Sequence, residues 1–367
     1  MNAKRRGASL LLGILLAACS SVSIPPSPTL APEISASPST AAPTTAPTAT
    51  STATPTPTLT ATPTPTPAPT ATPAAASGEI AFTATVDGVE GIYVIDVASG
   101  ATTRLADGRG PAWSPDGTRI AFGRFSNDEA FALWVMNADG SAVRSLGSGL
   151  GAVWSPDGTR IAFSTSPIDL GDLWVMNADG SGRKKLVGGV GRTWSPDGTR
   201  IASVMEDVGG GSGHLVVARV DGSGTTRLGM GLSPAWSPDG TRIAFVSWSE
   251  QPAIQVVDPT TGTVSTIAQP GKDVHALAWS PDGTRLSFIT PAGDLLVVSA
   301  QGGGVTTAAT GLSFDTARSP DGNWFAFTVT DPESPTSDIC LSGTDGSDRR
   351  QLTTSGTASG PVWRPAP

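Results

Sequence analysis

The 367-residue chain is poor in the side chains on which most catalytic and metal chemistry depends. It has 2 cysteines, 2 histidines and 1 tyrosine. The histidines, His214 and His275, fit neither His-Glu-x-x-His nor another zinc spacing, and each reads as a polar surface residue. No Gly-x-Ser-x-Gly elbow is present to expose a nucleophilic serine. The glycine run Gly209-Gly210-Gly211-Ser212-Gly213 lacks the lysine of a phosphate-binding loop. Basic residues are also scarce, 23 Lys and Arg against 31 Asp and Glu. Because Lys4, Arg5, Arg6 and Glu33 precede residue 78, the remainder carries 20 basic and 30 acidic residues. That balance excludes a nucleic-acid-binding surface, which needs a basic face. No apolar run is long enough to span a bilayer as a helix: the longest extends from Ala8 to Ala18.

What the chain has in abundance is glycine, 44 residues, and a phrase that returns. Trp-Ser-Pro-Asp-Gly-Thr-Arg-Ile-Ala-Phe stands intact at residues 113–122, 154–163 and 236–245. It recurs with a changed end at 194–203 and 279–288, degraded at Arg318–Phe327, and truncated at Trp363-Arg364-Pro365. Successive copies begin 41, 40, 42, 43, 39 and 45 residues apart. A period near forty with glycine punctuation predicts a repeat architecture.

The physics of one copy is direct. Ser114-Pro115-Asp116-Gly117 predicts a type I turn, with proline fixing φ at the second position. Arg119-Ile120-Ala121-Phe122 then alternates as a strand. A loop leads to a second apolar run, Leu133-Trp134-Val135-Met136, and the turn Asn137-Ala138-Asp139-Gly140-Ser141 leads to a fourth segment. That turn lacks the ligands and distal glutamate of a calcium loop. With the strand entering Trp113, the copy predicts four strands in tight sequence, the content of one propeller blade. Runs apolar on both faces require cover on both sides, which neighbouring blades supply. Cationic residues of the fourth strand, Arg144, Arg183, Lys184 and Arg350 among them, read as solvated guards of an outer edge.

The long phrases, Trp-Ser-Pro-Asp-Gly-Thr-Arg-Ile-Ala-Phe and then Leu-Trp-Val-Met-Asn-Ala-Asp-Gly-Ser, resemble the WD-like β-propeller repeat of the TolB family over roughly residues 78–367. The resemblance implies an all-β propeller and, since TolB-like proteins act in cell-envelope complexes, a protein-binding role. Near the start, Lys4-Arg5-Arg6, the apolar run and Leu16-Ala17-Ala18-Cys19 together resemble a bacterial lipoprotein signal. Cleavage then ends the signal at residue 18 and leaves Cys19 lipidated, which anchors the chain and rules out a disulfide. Cys340 aligns with Trp134 and Trp174 and reads as buried apolar filler. Residues 19–77, rich in Pro, Thr and Ala, read as a disordered tether.

Residues 78–82 supply a second strand with no first strand, and Gly360-Pro361-Val362-Trp363 supplies the missing one. Ile-Ala-Phe-type strands at 80, 120, 161, 201, 243, 286 and 325 therefore predict a seven-bladed propeller closed by the C-terminal strand. Both turn types fall at one end of the blades, which reads as structural. Variable loops, many of them acidic, gather at the other end, and variable loops on a rigid scaffold carry binding. Glycine or serine stands three places before most of the repeated tryptophans, which suits crowding near the axis. Asp315, with Arg109, Arg192, Asp273 and His275 nearby, are the candidates to line a channel mouth. The reading is an exported, membrane-anchored, monomeric, non-enzymatic propeller, without cofactor or metal, that binds an envelope protein partner through its loop face. Its rival is a carbohydrate-binding or carbohydrate-active propeller with a site at the channel mouth.

Overall fold

The computed structural model describes residues 75–125, 131–165, 172–206, 213–270, 274–310, 312, 315–330, 336–344 and 346–366. The predicted signal, most of the predicted tether and Asp273 lie outside them. Among the described residues every regular element is a β-strand, and all strand pairs between named strands are antiparallel. The fold is an all-β propeller.

Five sheets have four strands each. In sheet 109–148 the order is Arg109–Trp113, Arg119–Phe125, Phe131–Asn137, Arg144–Ser148, from inner to outer edge. Sheets 150–188, 275–309 and 316–351 repeat that order. In the first sheet Ser359–Trp363 lies inside Glu79–Val86, followed by Val89–Asp96 and Thr102–Asp107. Ile80 pairs with Trp363 and Ala81 with Val362, so head and tail of the folded region meet as their sequences imply.

The sixth sheet departs from the expectation of separate four-stranded blades. It has seven strands, from Val190–Trp194 to Val264–Ala268. Its fourth strand, Thr225–Trp236, runs unbroken for 12 residues. The first part pairs with Gly213–Arg219 and the second with Ile243–Ser247. The two halves still pack face to face, with Leu215 and Val217 in one cluster with Phe245 and Val257. The same sharing occurs between other neighbours: Phe122 packs with Ile92, Trp154 with Leu133, and Ile80 with Trp324 and Ile339. The core therefore sits between sheets, which is why strands are apolar on both faces.

Each Ser-Pro-Asp-Gly turn is a closed hydrogen-bond unit. Ser114 Oγ donates to Asp116 Oδ1 and accepts from the Arg119 amide, while the Gly117 amide donates to the Ser114 carbonyl. Gly117 takes φ 64°, the left-handed region that glycine enters at no steric cost. The serine hydroxyl, with the Thr118 amide, holds the Asp116 carboxyl down at about 2.

The turns carry a second device across the seams between sheets. Arg119 lies over the Trp154 ring at 4.6 Å, Arg200 over Trp236 at 4.6 Å, and Arg242 over Trp279 at 4.7 Å. Several indoles also donate backward, Trp154 Nε1 to the Ala112 carbonyl at 3.0 Å and Trp279 Nε1 to Ala235 at 3.0 Å. In the first sheet Glu79 occupies the arginine position. There Arg364 from the tail pairs with Glu79 and covers Trp113 at 5.1 Å. The tail thus supplies both the missing strand and the missing cation.

Two expectations need correction. The small residues before the tryptophans do not share crowding as their cause: a Cβ at Gly110 or Gly360 would meet nothing within 4 Å, and only at Gly151, among those described, would one meet a side chain, Arg192. They answer backbone geometry, with φ 61° at Gly110, 62° at Gly151 and 61° at Gly360. Ser233 and Ala276 hold φ 53° and 51° at the same place. A register shift accompanies the turn of the chain there, between Arg109 and Ala112 for example. The edge cations, for their part, do more than meet water. Arg144 donates to the carbonyls of Asp179 and Ala178, Arg349 to Thr310, and Arg350 to Val97, each on a neighbouring sheet.

Candidate functional site

The end of the propeller opposite the Ser-Pro-Asp-Gly turns holds the loops between second and third strands and the passages from one sheet to the next. Arg109, the first residue of its inner strand, stands there exposed. Its Nε lies 3.6 Å from Glu90 Oε2, and its guanidinium is 5.8 Å from the Phe125 ring centroid. Phe125 is itself 57% exposed and meets Phe131 at 4.3 Å between ring centroids. Sequence reasoning missed this aromatic pair, although Phe125 lies past the end of the repeated phrase, where variation begins.

The same end exposes Val86 and Val89 on the first sheet, and Met230 and Trp248 on the seven-stranded one. Trp248 donates its amide to the Met230 carbonyl, so these two stand together. Trp248 is 45% exposed, whereas the repeated tryptophans Trp113, Trp154, Trp194 and Trp236 are each 7% exposed. Val143, Val264 and Val305 are exposed at the other end, but the exposed aromatic rings, Phe125 and Trp248, stand at this one, and such rings set among charges are the makings of a contact surface.

Of the predicted channel-mouth residues, Arg109, Arg192 and His275 each stand on the inner strand of a different sheet. Arg192 belongs to the inner strand Val190–Trp194 and is half-buried. A Cβ at Gly151 would lie 2.5 Å from its Nη2, so the guanidinium occupies space that the neighbouring inner strand leaves by having glycine. Burial lowers its pKa, and its Nε meets no hydrogen-bond partner. His275 opens the inner strand of its sheet and is exposed, with its backbone opposite Ile289. Asp315 is exposed, and its carbonyl accepts the Thr328 amide at 3.1 Å. Asp273 and Cys19 lie outside the described residues. Among the described residues no three of His, Cys, Asp and Glu gather as a metal-holding group, and no helix is long and apolar enough to cross a membrane. Cys340 is fully buried, packed with Phe325 and Phe327 as its alignment implies.

Residues 217–366 match the TolB beta propeller domain family. The propeller is TolB-like. Among solved structures, TolB from Acinetobacter baumannii superposes with a TM-score of 0.52 at 18% identity, over 78% of this chain and 82% of that one. An oligogalacturonate lyase in complex with manganese gives 0.57 at 12% identity, over 75% and 85%. The β-propeller domain of the trilobed protease from Pyrococcus furiosus gives 0.57 at 14%, over 76% and 94%. That domain is described as having an open velcro topology, whereas in this TolB-like propeller the tail strand pairs with the head. Likeness at such identities speaks for the fold and not for a shared activity. No curated protein matches the chain.

Proposed function

We propose that this TolB-like propeller is a non-enzymatic, envelope-associated binding module that engages a protein partner through its loop end. The observation that carries the reading is the exposed apolar set at that end, Val86, Val89, Phe125, Met230 and Trp248. The test is a photo-crosslinking residue placed at Trp248 or Phe125, and at Val305 on the opposite end as control, in cells making the full chain. The reading expects a discrete crosslinked protein from the first two positions and none from the third. Crosslinks equal at all positions, or absent from all, overturn it.

On this reading the seven-stranded sheet counts as two blades that share one continuous strand, and the propeller is seven-bladed, closed by Ser359–Trp363. The packing of Leu215 and Val217 against Phe245 and Val257 supports that count. Anchoring through a lipidated Cys19 belongs to the same proposal. Metabolic labelling with a fatty-acid analogue checks it: Cys19→Ser abolishes incorporation, whereas a Cys340-linked disulfide in the mature protein excludes it. The rival, a glycan-binding site in the channel, rests on Arg192, whose half-buried guanidinium has an unpartnered Nε. Glycan binding lost on Arg192→Gln, with loop-end crosslinking unchanged, would favour that reading.

A further inference from the structure

The seam between sheets 275–309 and 316–351 breaks the rule of the others. Following the pattern of Arg119, Arg200 and Arg242, Arg285 should cover a tryptophan at position 318. Position 318 is arginine. The tryptophan of this repeat has moved to position 324, where the other repeats carry arginine, and there it packs into the core with Trp363. The exchange leaves a cavity of about 200 Å³ where the indole would sit, lined by Arg285, Arg318, Ser287, Thr344, Leu286 and Phe325 among others.

Neither guanidinium makes an ion pair among the described residues; Arg285 meets Asp282 only at range, and Arg318 lies 5.6 Å from the Phe325 ring centroid. Arg285 is exposed, while Arg119, Arg160, Arg200 and Arg242 are half-buried. No hydrogen bond or ion pair of its guanidinium occurs among the described residues. Arg318 is oriented by its Nε and Nη2 on the Gly322 carbonyl, at 3.0 and 2.8 Å. Burial, and then the charge of Arg285, lower its pKa. The nearest carboxylates, Asp282 and Asp321, act on Arg318 only at range. Asp282 Oδ1 is engaged in its own turn with Ser280 and Thr284, and both oxygens of Asp321 are engaged with Ser319 and Asn323. A cavity with two facing cations, hydroxyl groups at its wall and an apolar floor is complementary to an anion carrying a small organic part. The space is well above the roughly 10–15 Å³ that a single water needs.

We propose that this cavity binds a small oxyanion between Arg285 and Arg318, a site created by the exchange of tryptophan and arginine in the sixth copy of the repeat. Phosphate, sulfate and carboxylate groups share the chemistry required. The experiment titrates the full chain with inorganic phosphate, and separately with acetate, at low ionic strength by calorimetry. Saturable binding is expected, weakened about tenfold or more by Arg285→Gln. Arg318→Trp, which restores the indole of the intact seams, is expected to abolish it while keeping the fold. Arg242→Gln, at an intact seam, leaves it unchanged. Tighter binding of acetate than of phosphate identifies a carboxylate as the preferred group. Absence of saturable binding to either anion overturns the proposal. So does binding that survives Arg285→Gln, a change at an exposed side chain that leaves folding intact.

Discussion

Two adjacent seams of the propeller are built from the same backbone and differ by one exchange of side chains. At the first, Arg242 lies flat over Trp279, and the indole donates to the inner strand behind it. At the next, the ring is absent, two arginines share a cavity, and the displaced indole reinforces the seam beyond. The turn beneath is unchanged: Ser237 and Ser280 each bond their aspartate at 2.5 Å and are buried. In a repeat fold each unit depends mainly on its neighbours, so one interface can surrender an aromatic side chain without unravelling the others. What an intact seam uses for cohesion, the altered one presents to solvent as a charged recess.

The comparison can be broken most forcefully at the indoles. Trp279→Ala and Trp363→Ala each remove a buried ring and are expected to cost about 3–5 kcal/mol in denaturant unfolding. A loss under about 1 kcal/mol for Trp363→Ala would show that head–tail pairing does not depend on it. The shared turn makes a smaller, symmetrical prediction. Ser237→Ala and Ser280→Ala should each cost about 1–3 kcal/mol, because a buried carboxylate-bonded hydroxyl is lost. Unequal losses would mean that the two seams differ below the arginine as well.

Acid supplies a further check on the turns. The Asp116 and Asp282 carboxyls are held at about 2, chiefly by the hydroxyls of Ser114 and Ser280, below the ordinary value near 3.9. Their contribution is complete above the unfolded value and disappears as pH falls through the folded one. Stability should therefore decline between about pH 4 and pH 2, and less steeply in Asp116→Asn. Gly110→Ala should cost about 1–2 kcal/mol through its positive φ. A neutral result there would return the explanation to side-chain space. The finest test is a double-mutant cycle. Arg242 and Trp279 should show favourable coupling of about 0.5–1 kcal/mol, and Arg285 and Arg318 coupling of the opposite sign.

The repeated phrase made strand order, turn chemistry and the meeting of Ile80 with Trp363 legible before any coordinates, because each follows from local alternation and from counting. The continuous strand Thr225–Trp236 was not legible, since nothing in Gly229-Met230-Gly231 distinguishes a bend from an extended passage. Size and φ tolerance look alike in a sequence, and the backbone alone accounts for Gly110 and Gly360 while Gly151 also makes room for Arg192. Arg318 stood out as a degraded copy, yet its meaning required knowing which arginine covers which ring across a seam. Phe125 and Trp248 lie outside the repeat, where pattern gives no guide and only exposure in three dimensions reveals them. Alignment places the channel candidates at equivalent positions without saying whether they touch.

The pairing of Glu79–Val86 with Ser359–Trp363 sets a timetable for biosynthesis. The ion pair of Glu79 with Arg364 joins residues 285 positions apart, so the first sheet made by the ribosome is the last to be finished. Until the final residues emerge, the inner edge of Glu79–Val86 offers unpaired amides and carbonyls to any neighbouring strand. A nascent chain halted before residue 359 is then the species most exposed to aggregation, and emergence of Ser359–Trp363 is the event that ends the hazard.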